Sequence, residues 1–306
     1  MIIITTYHNR KNDHRFFNRR KYLEETIRSV DNQKVENIFH LIIDDGSTDD
    51  TYDVLHAKYA TSNRRRVIRR NKGDDEVLTS TNARNFGINL CLESNFIEDI
   101  DISEHEYITF IDSDDILIDL SARLNYAMKE RCDFLYTDAL LFFDDTDIAF
   151  KWNGIRSDLA YKNLWIYGKM PYPTMTWKVS FLRKLKQWTR EKYNFDGPFD
   201  PHIGCGEDVD IALSSFECAR YRGCKVGYLP KITAGYRIHN FSLATIRNQD
   251  KRSNEENTVL RRHYGNSTSH YLHLRRFVAR PECYIPSLMI FKNLFRRRLS
   301  KSQFLH

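Results

Sequence analysis

The chain has 306 residues, the length of two ordinary domains or of one large α/β domain. Apolar residues make up 41%, charged residues 29% and aromatics 13%, with only 12 Gly and 7 Pro, which excludes collagenous, low-complexity and largely disordered chains. The formal net charge of +6 is unevenly spread: residues 250–306 hold 12 of the 47 Lys and Arg but only 4 of the 41 Asp and Glu, so the preceding body is slightly acidic. Nucleic-acid-binding proteins carry a basic footprint on the folded domain, so nucleic acid is not an expected partner.

Ile2 to Thr6 is a β-branched run that predicts a buried first strand. Tyr22, Leu23, Thr26, Ile27 and Val30 recur at helical spacing, and the helix ends near Asn32-Gln33. His40 to Ile43 is a second buried strand, followed by a helix over Thr51 to Tyr59. Val67-Ile68-Arg69 is a short strand, Ala83 to Leu92 a helix, and Tyr107 to Ile111 another strand. Strands alternating with helices predict a parallel, doubly wound α/β sheet whose ligands bind beyond the carboxyl ends of the strands. In the second half, strands are expected at Phe134–Thr137, Leu140–Phe143, Val226–Leu229 and Thr233–Ile238, and helices at Phe181–Lys192 and Asp208–Tyr221.

The six cysteines form no C-x-x-C pair and no zinc spacing, which suits a reducing compartment. The apolar opening Met1 to Ile4 meets His8, Asn9 and Arg10 too soon for a signal peptide, and no run of about 18 apolar residues exists. A cytoplasmic protein is expected, soluble or peripheral on the cytoplasmic face of a membrane.

Three clusters carry chemistry. Asp112-Ser113-Asp114-Asp115 follows an apolar strand; carboxylates one residue apart can converge on a hard divalent cation, Mn²⁺ or Mg²⁺, or simply form an Asp-rich turn. In Asp44-Asp45-Gly46-Ser47-Thr48-Asp49, Asp44 or Asp45 can bond a base or ribose, with Ser47 or Thr48 capping the next helix. Arg84, near a helix start, can hold a diphosphate or order the acidic loops.

The order of these motifs resembles a family-2 glycosyltransferase of the GT-A fold. The resemblance runs from Ile4-Thr5-Thr6-Tyr7-His8-Asn9-Arg10 and Tyr22 to Ile27 with Ser29-Val30 and Gln33, through Ile42 to Asp49 and Asn71-Lys72-Gly73, to Ala83-Arg84-Asn85 with Gly87 and Phe110 to Asp115. It implies a nucleotide-sugar half over residues 1–120, an acceptor half over 121–245 and a basic helical extension over 246–306. It further implies an inverting, metal-dependent hexosyl- or N-acetylhexosaminyltransferase acting on a UDP-sugar, with a glycan or lipid-linked hydroxyl as acceptor. On this reading Thr6, Tyr7, Asn9, Asp44 or Asp45, Lys72, Arg84, Asp112 and Ser113 face the nucleotide diphosphate. Asp112 and Asp114 hold the metal, joined by His239, which resembles a histidine that some members place on the metal or the diphosphate.

Gly204-Cys205-Gly206-Glu207-Asp208 is similar to the segment that supplies the family's base: Asp208 is the favoured base and Glu207 holds the acceptor, against the alternative that either caps a helix. Trp152, Trp165, Tyr172 and Trp177 are candidates for stacking on acceptor sugars or for the core.

The chain departs from the family at Thr5, where proline is common, in the basic insertion Lys11 to Arg20, and in the acidic stretch Asp99 to Glu106. Leu272–Val278 and Leu288–Leu299 mix apolar residues with Arg and Lys, which suits an interfacial helix on anionic lipid or a helix packed on the body or a partner subunit. The alternatives in function are a sugar-nucleotide nucleotidyltransferase, which would carry a Gly-rich phosphate loop where Thr5 to Asn9 stand, and a non-catalytic glycan-binding relative.

Overall fold

The structure is a computed structural model that describes residues 1–9, 19–71, 80–144, 146–154, 172–204, 206–239, 249–265 and 298–300. β1 (Ile2–Tyr7), β2 (Phe39–Asp44) and β3 (Arg65–Arg69) lie parallel, with Ile2 beside Phe39 and His40 beside Arg65, and β6 (Tyr107–Phe110) runs parallel on the other side of β1. Helices α1 (Arg19–Asp31), α2 (Thr51–Tyr59) and α3 (Ser80–Glu93) supply the crossovers, and a small hairpin of β4 (Phe96–Ile97) and β5 (Ile100–Asp101) precedes β6. The carboxyl ends of β1, β2, β3 and β6 therefore share one edge, as the alternation of elements predicts.

The second half is mixed rather than parallel. The short β7 (Ile116–Leu117) leads into α4 (Leu120–Glu130), and β8 (Phe134–Phe143) is paired with antiparallel β9 (Ile148–Trp152). β10 (Thr176–Lys178) runs antiparallel to both β6 and β8 and joins the halves. α5 (Val179–Tyr193) and α6 (Glu207–Arg222) cover this half, and β11 (Val226–Ile238) lies parallel to β8 and antiparallel to β7.

Two pairs of expected strands are single strands. Asp138 and Ala139 continue the ladder between Phe134–Thr137 and Leu140–Phe143, and β11 absorbs Pro230 and Lys231 in a register shift between Leu229 and Ile232. α4 was not apparent from periodicity, yet it has both its stops: the Asp119 side chain accepts the Ala122 amide at 2.9 Å, and Arg131 ends the helix in a left-handed conformation at φ 53°.

The extension predicted as helical begins as α7 (Gln249–Tyr264), which packs on α6. Arg298–Ser300 is instead a strand, β12, added antiparallel to the edge of β9, so Leu299 does not belong to a helix. The predicted apolar–basic stretches before it, Leu272–Val278 and Leu288–Arg297, lie outside the described residues. Among the described residues no helix is long and apolar enough to cross a membrane.

Trp177 joins the halves from within. Its ring is fully buried, stacked on Phe134 with centroids 5.5 Å apart and edge-on to Phe110 at 5.6 Å, and its Nε1 donates to Ser215 Oγ at 3.0 Å. It is therefore a core residue and not an acceptor platform.

A buried histidine and a half-buried one make the fold sensitive to acid. Arg65 Nε donates to His40 Nδ1 at 3.3 Å, so His40 Nε2–H donates to Thr5 Oγ1 at 2.9 Å, and burial followed by the Arg65 charge holds its pKa well below 6.5. His105 accepts from the N-terminal ammonium at 3.0 Å and is lowered to about 4, first by burial and then by that charge. Below pH 6.5 the unfolded chain takes up protons that these folded sites refuse, so stability falls as pH drops from 6.5 towards 4. Urea unfolding should give a midpoint that declines over this window, with a shallower decline in His105→Asn; a flat profile would contradict the assignment.

Candidate active site

The loops after β1 and β2 are knitted into one unit. Asp45 N donates to Tyr7 O at 2.8 Å and Thr48 N to Asn9 O at 2.9 Å. Asn9 in turn donates its own amide to Ser47 Oγ and its Nδ2 to Thr51 Oγ1, each at 2.9 Å. Ser47 is thus a partner of Asn9 and not a helix cap; Asp50 stands at the N-cap of α2 without a side-chain cap bond, and Asp49 before it accepts from Thr51 N at 3.1 Å.

The acidic pair at the end of β2 meets an arginine pair at the end of β3. Asp44 is fully buried, with Oδ1 accepting from Ser47 N at 3.0 Å and Oδ2 from Arg69 Nε at 2.7 Å. Arg70 Nε donates to Asp45 Oδ1 at 2.8 Å. Both Asp44 oxygens are engaged inside the loop, so of the two alternatives Asp44 is the loop-closing residue. Thr6 is half-buried beside them, while the Tyr7 hydroxyl is buried without a hydrogen-bond partner, its pKa pushed up by burial and by Asp44. Lys72 lies outside the described residues.

Asp112, Ser113 and Asp114 stand half-buried just beyond β6. Ser29 of α1 and Gln33 just beyond it hold the chain that follows, accepting from Leu117 N at 3.0 Å and Leu120 N at 2.8 Å. From the far half, Arg237 N donates to Asp115 Oδ1 at 2.9 Å, and Arg237 Nε to Asp114 O at 2.7 Å. His239 Nε2 lies 3.0 Å from Asp114 Oδ2, so the histidine singled out in the sequence does reach this cluster.

Arg84 connects this cluster to the Gly-rich segment. Its Nη2 donates to Asp112 Oδ1 at 2.7 Å and its Nη1 to Glu207 Oε1 at 3.3 Å, while Ser80 Oγ donates to the same Glu207 oxygen at 3.1 Å. The guanidinium rests 4.3 Å over the buried Tyr172 ring and 5.5 Å from that of Phe199. Burial works against its charge, but Asp112, Tyr172 and Glu207 outweigh burial and raise its pKa.

Next door, Asn85 clamps Phe199, donating to its carbonyl at 2.8 Å and accepting from its amide at 3.1 Å. Gly206 precedes α6 at φ 82°, a conformation that glycine adopts without strain, and sets Glu207 and Asp208 on the first turn. Among the described residues nothing forms a hydrogen bond or ion pair with the Asp208 carboxylate, so neither acid serves as the helix cap.

The donor set fits a hard divalent cation. Burial pushes the Asp112 pKa up; Arg84 pulls it down, and Asp114 and Asp208 push it up again, leaving it raised. Burial, Asp114 and Asp112 also raise Asp115, whose Oδ2 has no hydrogen-bond partner. Burial opposes the charge of Asp114, but His239 and then Arg19 and Arg237 lower its pKa. Three carboxylates thus crowd beyond one strand, with Arg84, Arg237 and His239 among their partners, and a cation would relieve the repulsion that raises Asp112 and Asp115. Among the described residues no group of three or more His, Cys, Asp and Glu side chains forms a cage, and a cation shared with substrate phosphates needs only one or two carboxylates.

The profile of the family described as Glycosyl transferase family 2 matches residues 15–187, more than half of the chain. The chain belongs to this family. Among its relatives, the glycosyltransferase GlyG of Streptococcus pneumoniae serotype 4 is 28% identical over 166 residues, 54% of this chain and 50% of GlyG. An uncharacterized glycosyltransferase of Haemophilus influenzae is 30% identical over 120 residues, 37% of this chain and 40% of the relative. The chain therefore matches half or less of these relatives' length. Among solved structures, TarS 1–349 of S. aureus in complex with UDP-GlcNAc superposes with a TM-score of 0.57 at 13% identity, covering 93% of this chain and 72% of that one. The mannosyltransferase PcManGT of Pyrobaculum calidifontis, in complex with GDP-Man and Mn²⁺, gives 0.52 at 11% identity, covering 90% and 69%. At these identities the likeness is one of fold, the GT-A fold.

The family-2 match ends before Glu207 and Asp208, and Arg84 joins Glu207 to Asp112 of the acidic motif. Sequence reasoning missed Arg69, Arg70, Arg237 and Ser80. The signal for the first two was present: β2 and β3 are adjacent parallel strands, so a pair of arginines ending one must meet a pair of aspartates ending the other. Trp152 is half-buried and edge-on to Tyr236 at 5.7 Å, Tyr172 is the platform under Arg84, and Trp165 lies outside the described residues.

Removing the Arg84 cation leaves Asp112 and Glu207 facing each other, which should cost about 3 kcal/mol in Arg84→Ala. Urea titration would register a lower midpoint at unchanged slope, with Arg84→Lys intermediate because an ammonium cannot span both carboxylates. An unaltered midpoint in both variants would show the bridge to be dispensable.

Proposed function

We propose that the chain is an inverting glycosyltransferase that moves a sugar from a UDP-sugar to a hydroxyl of a glycan or lipid-linked acceptor with Mn²⁺ or Mg²⁺. The single observation that carries this reading is the Arg84 bridge, which brings Asp112 of the acidic motif and Glu207 to one guanidinium, while the adjacent Asp208 has no partner among the described residues.

On this reading Thr6 and Asp45 line the base and ribose pocket, with Asn9 and Asp44 shaping it from behind. Asp112 and Asp114 would hold the cation, with Ser113 between them in the chain, and His239 orients Asp114. A divalent cation bound there would neutralise charge developing on the leaving diphosphate. Arg84 adds a fixed positive charge on the same side, already oriented before reaction.

Asp208 takes the proton from the acceptor hydroxyl as that oxygen attacks the anomeric carbon from the face opposite the diphosphate. A single carboxylate base serves this one displacement, which inverts the configuration. Glu207, held by Ser80 and Arg84, fixes the helix end that presents Asp208 and bounds the acceptor site. Gly206 leaves room for the acceptor to approach. Family membership sets the nucleotidyltransferase alternative aside, and an Asp208 with no partner among the described residues, beside the acidic motif, favours an active enzyme over a binding relative.

UDP-GlcNAc, the ligand in the TarS structure, is the first donor to test. Asp208→Asn should lower transfer or donor hydrolysis by at least about a hundredfold while UDP affinity stays within about twofold. Turnover retained in that variant would remove Asp208 from the mechanism.

A further inference from the structure

We propose that Arg262 and His263, in the last turn of α7, are positioning residues that hold the segment carrying Asp208 in register with the donor half; this rests on the glycosyltransferase reading above. Arg262 Nη1 donates to both carboxylate oxygens of Asp210, each at 2.9 Å, and its Nη2 donates to Asp200 Oδ2. Asp200 precedes the Gly204–Asp208 segment and Asp210 follows it, so one guanidinium closes the chain across the stretch that presents the base. Asp200 turns the segment as well, since its Oδ1 accepts from His202 N at 2.8 Å.

His263 completes the clasp from the same helix turn. Its side chain is fully buried, with Nε2 3.0 Å from Asp210 Oδ1 and Nδ1 2.9 Å from Glu217 Oε1. Burial disfavours its charge, but the bonds to Asp210 and Glu217 outweigh burial and raise its pKa. Tyr193 of α5 donates to Glu217 Oε2 at 2.7 Å, and Lys192 reaches the same oxygen at 2.6 Å. Asp210 and Glu217 are buried carboxylates near the start and the middle of α6, so these cations fix the helix along its length as well as at its first turn.

A helix that needed only an anchor already has one in Val259 and Leu260, which are fully buried. The Arg262 contacts go instead to the two acids flanking the base segment, while Asn85 clamps Phe199 and Arg84 holds Glu207 from the donor side. The segment is thereby held from two directions, and α7, which lies beyond residues 15–187 of the family match, supplies one of them.

The test uses the full chain with Arg262→Gln, Arg262→Lys and, in parallel, Asp208→Asn. Amide hydrogen exchange in Arg262→Gln should accelerate about tenfold or more over residues 198–209 and remain unchanged in β1, β2 and β6. Release of UDP from UDP-GlcNAc with Mn²⁺ should lose about a hundredfold in kcat with the donor KM within about twofold, and Arg262→Lys should recover part of it. Unchanged exchange over residues 198–209, or exchange accelerated evenly through the whole chain, overturns the proposal. If Asp208→Asn keeps full turnover, the assignment of the base fails, and the exchange data still decide whether Arg262 holds the segment.

Discussion

One guanidinium fixes the geometry of the candidate site. Arg84 is almost fully buried near the start of α3, lies over the Tyr172 ring, and donates to Asp112 on one side and Glu207 on the other. These carboxylates come from parts of the chain 95 residues apart in sequence, and neither would tolerate the other's proximity without a cation between them. Arginine suits the task because its donors diverge in a plane and its charge persists when buried. The neighbouring Asn85, gripping both backbone groups of Phe199, prevents the two halves from sliding past each other.

Charge is distributed around that bridge in a consistent way. At the end of β2, Asp44 and Asp45 are met by Arg69 and Arg70, and at α6 the acids Asp210 and Glu217 are met by Arg262, His263 and Lys192. The cluster at Asp112, Asp114 and Asp115 is different. Burial and mutual repulsion raise Asp112 despite Arg84 and Asp115 despite Arg237, while His239 helps to lower Asp114, and Asp208, whose charge also acts on Asp112, has no partner among the described residues. Excess negative charge is concentrated where a cation and a proton acceptor are useful and is neutralised elsewhere.

Much of this was legible in the sequence. Apolar β-branched runs ending in acidic turns dictated parallel strands with those turns at one edge, and the fold bears that out through β6. The second half was less legible because its order comes from long-range pairing: β10 is three residues long, and β8 and β11 each looked like two strands because Asp138 and Pro230-Lys231 interrupt their apolar patterns. The net charge of +6 obscured an acidic body and a basic C-terminal region, and part of that region is α7, whose Arg262 and His263 engage the body directly. Periodicity carries no record of such contacts, because they depend on which acids on another helix lack partners.

The central claim is that the acidic motif beyond β6 binds a nucleotide diphosphate through a divalent cation. Calorimetric titration of UDP into the native chain and into Asp112→Asn, each with and without Mn²⁺, tests it most directly. Mn²⁺ should tighten UDP binding by the native chain tenfold or more, about 1.4 kcal/mol for each tenfold, and Asp112→Asn should remove this gain. Equal UDP affinity with and without Mn²⁺ in both proteins would contradict it.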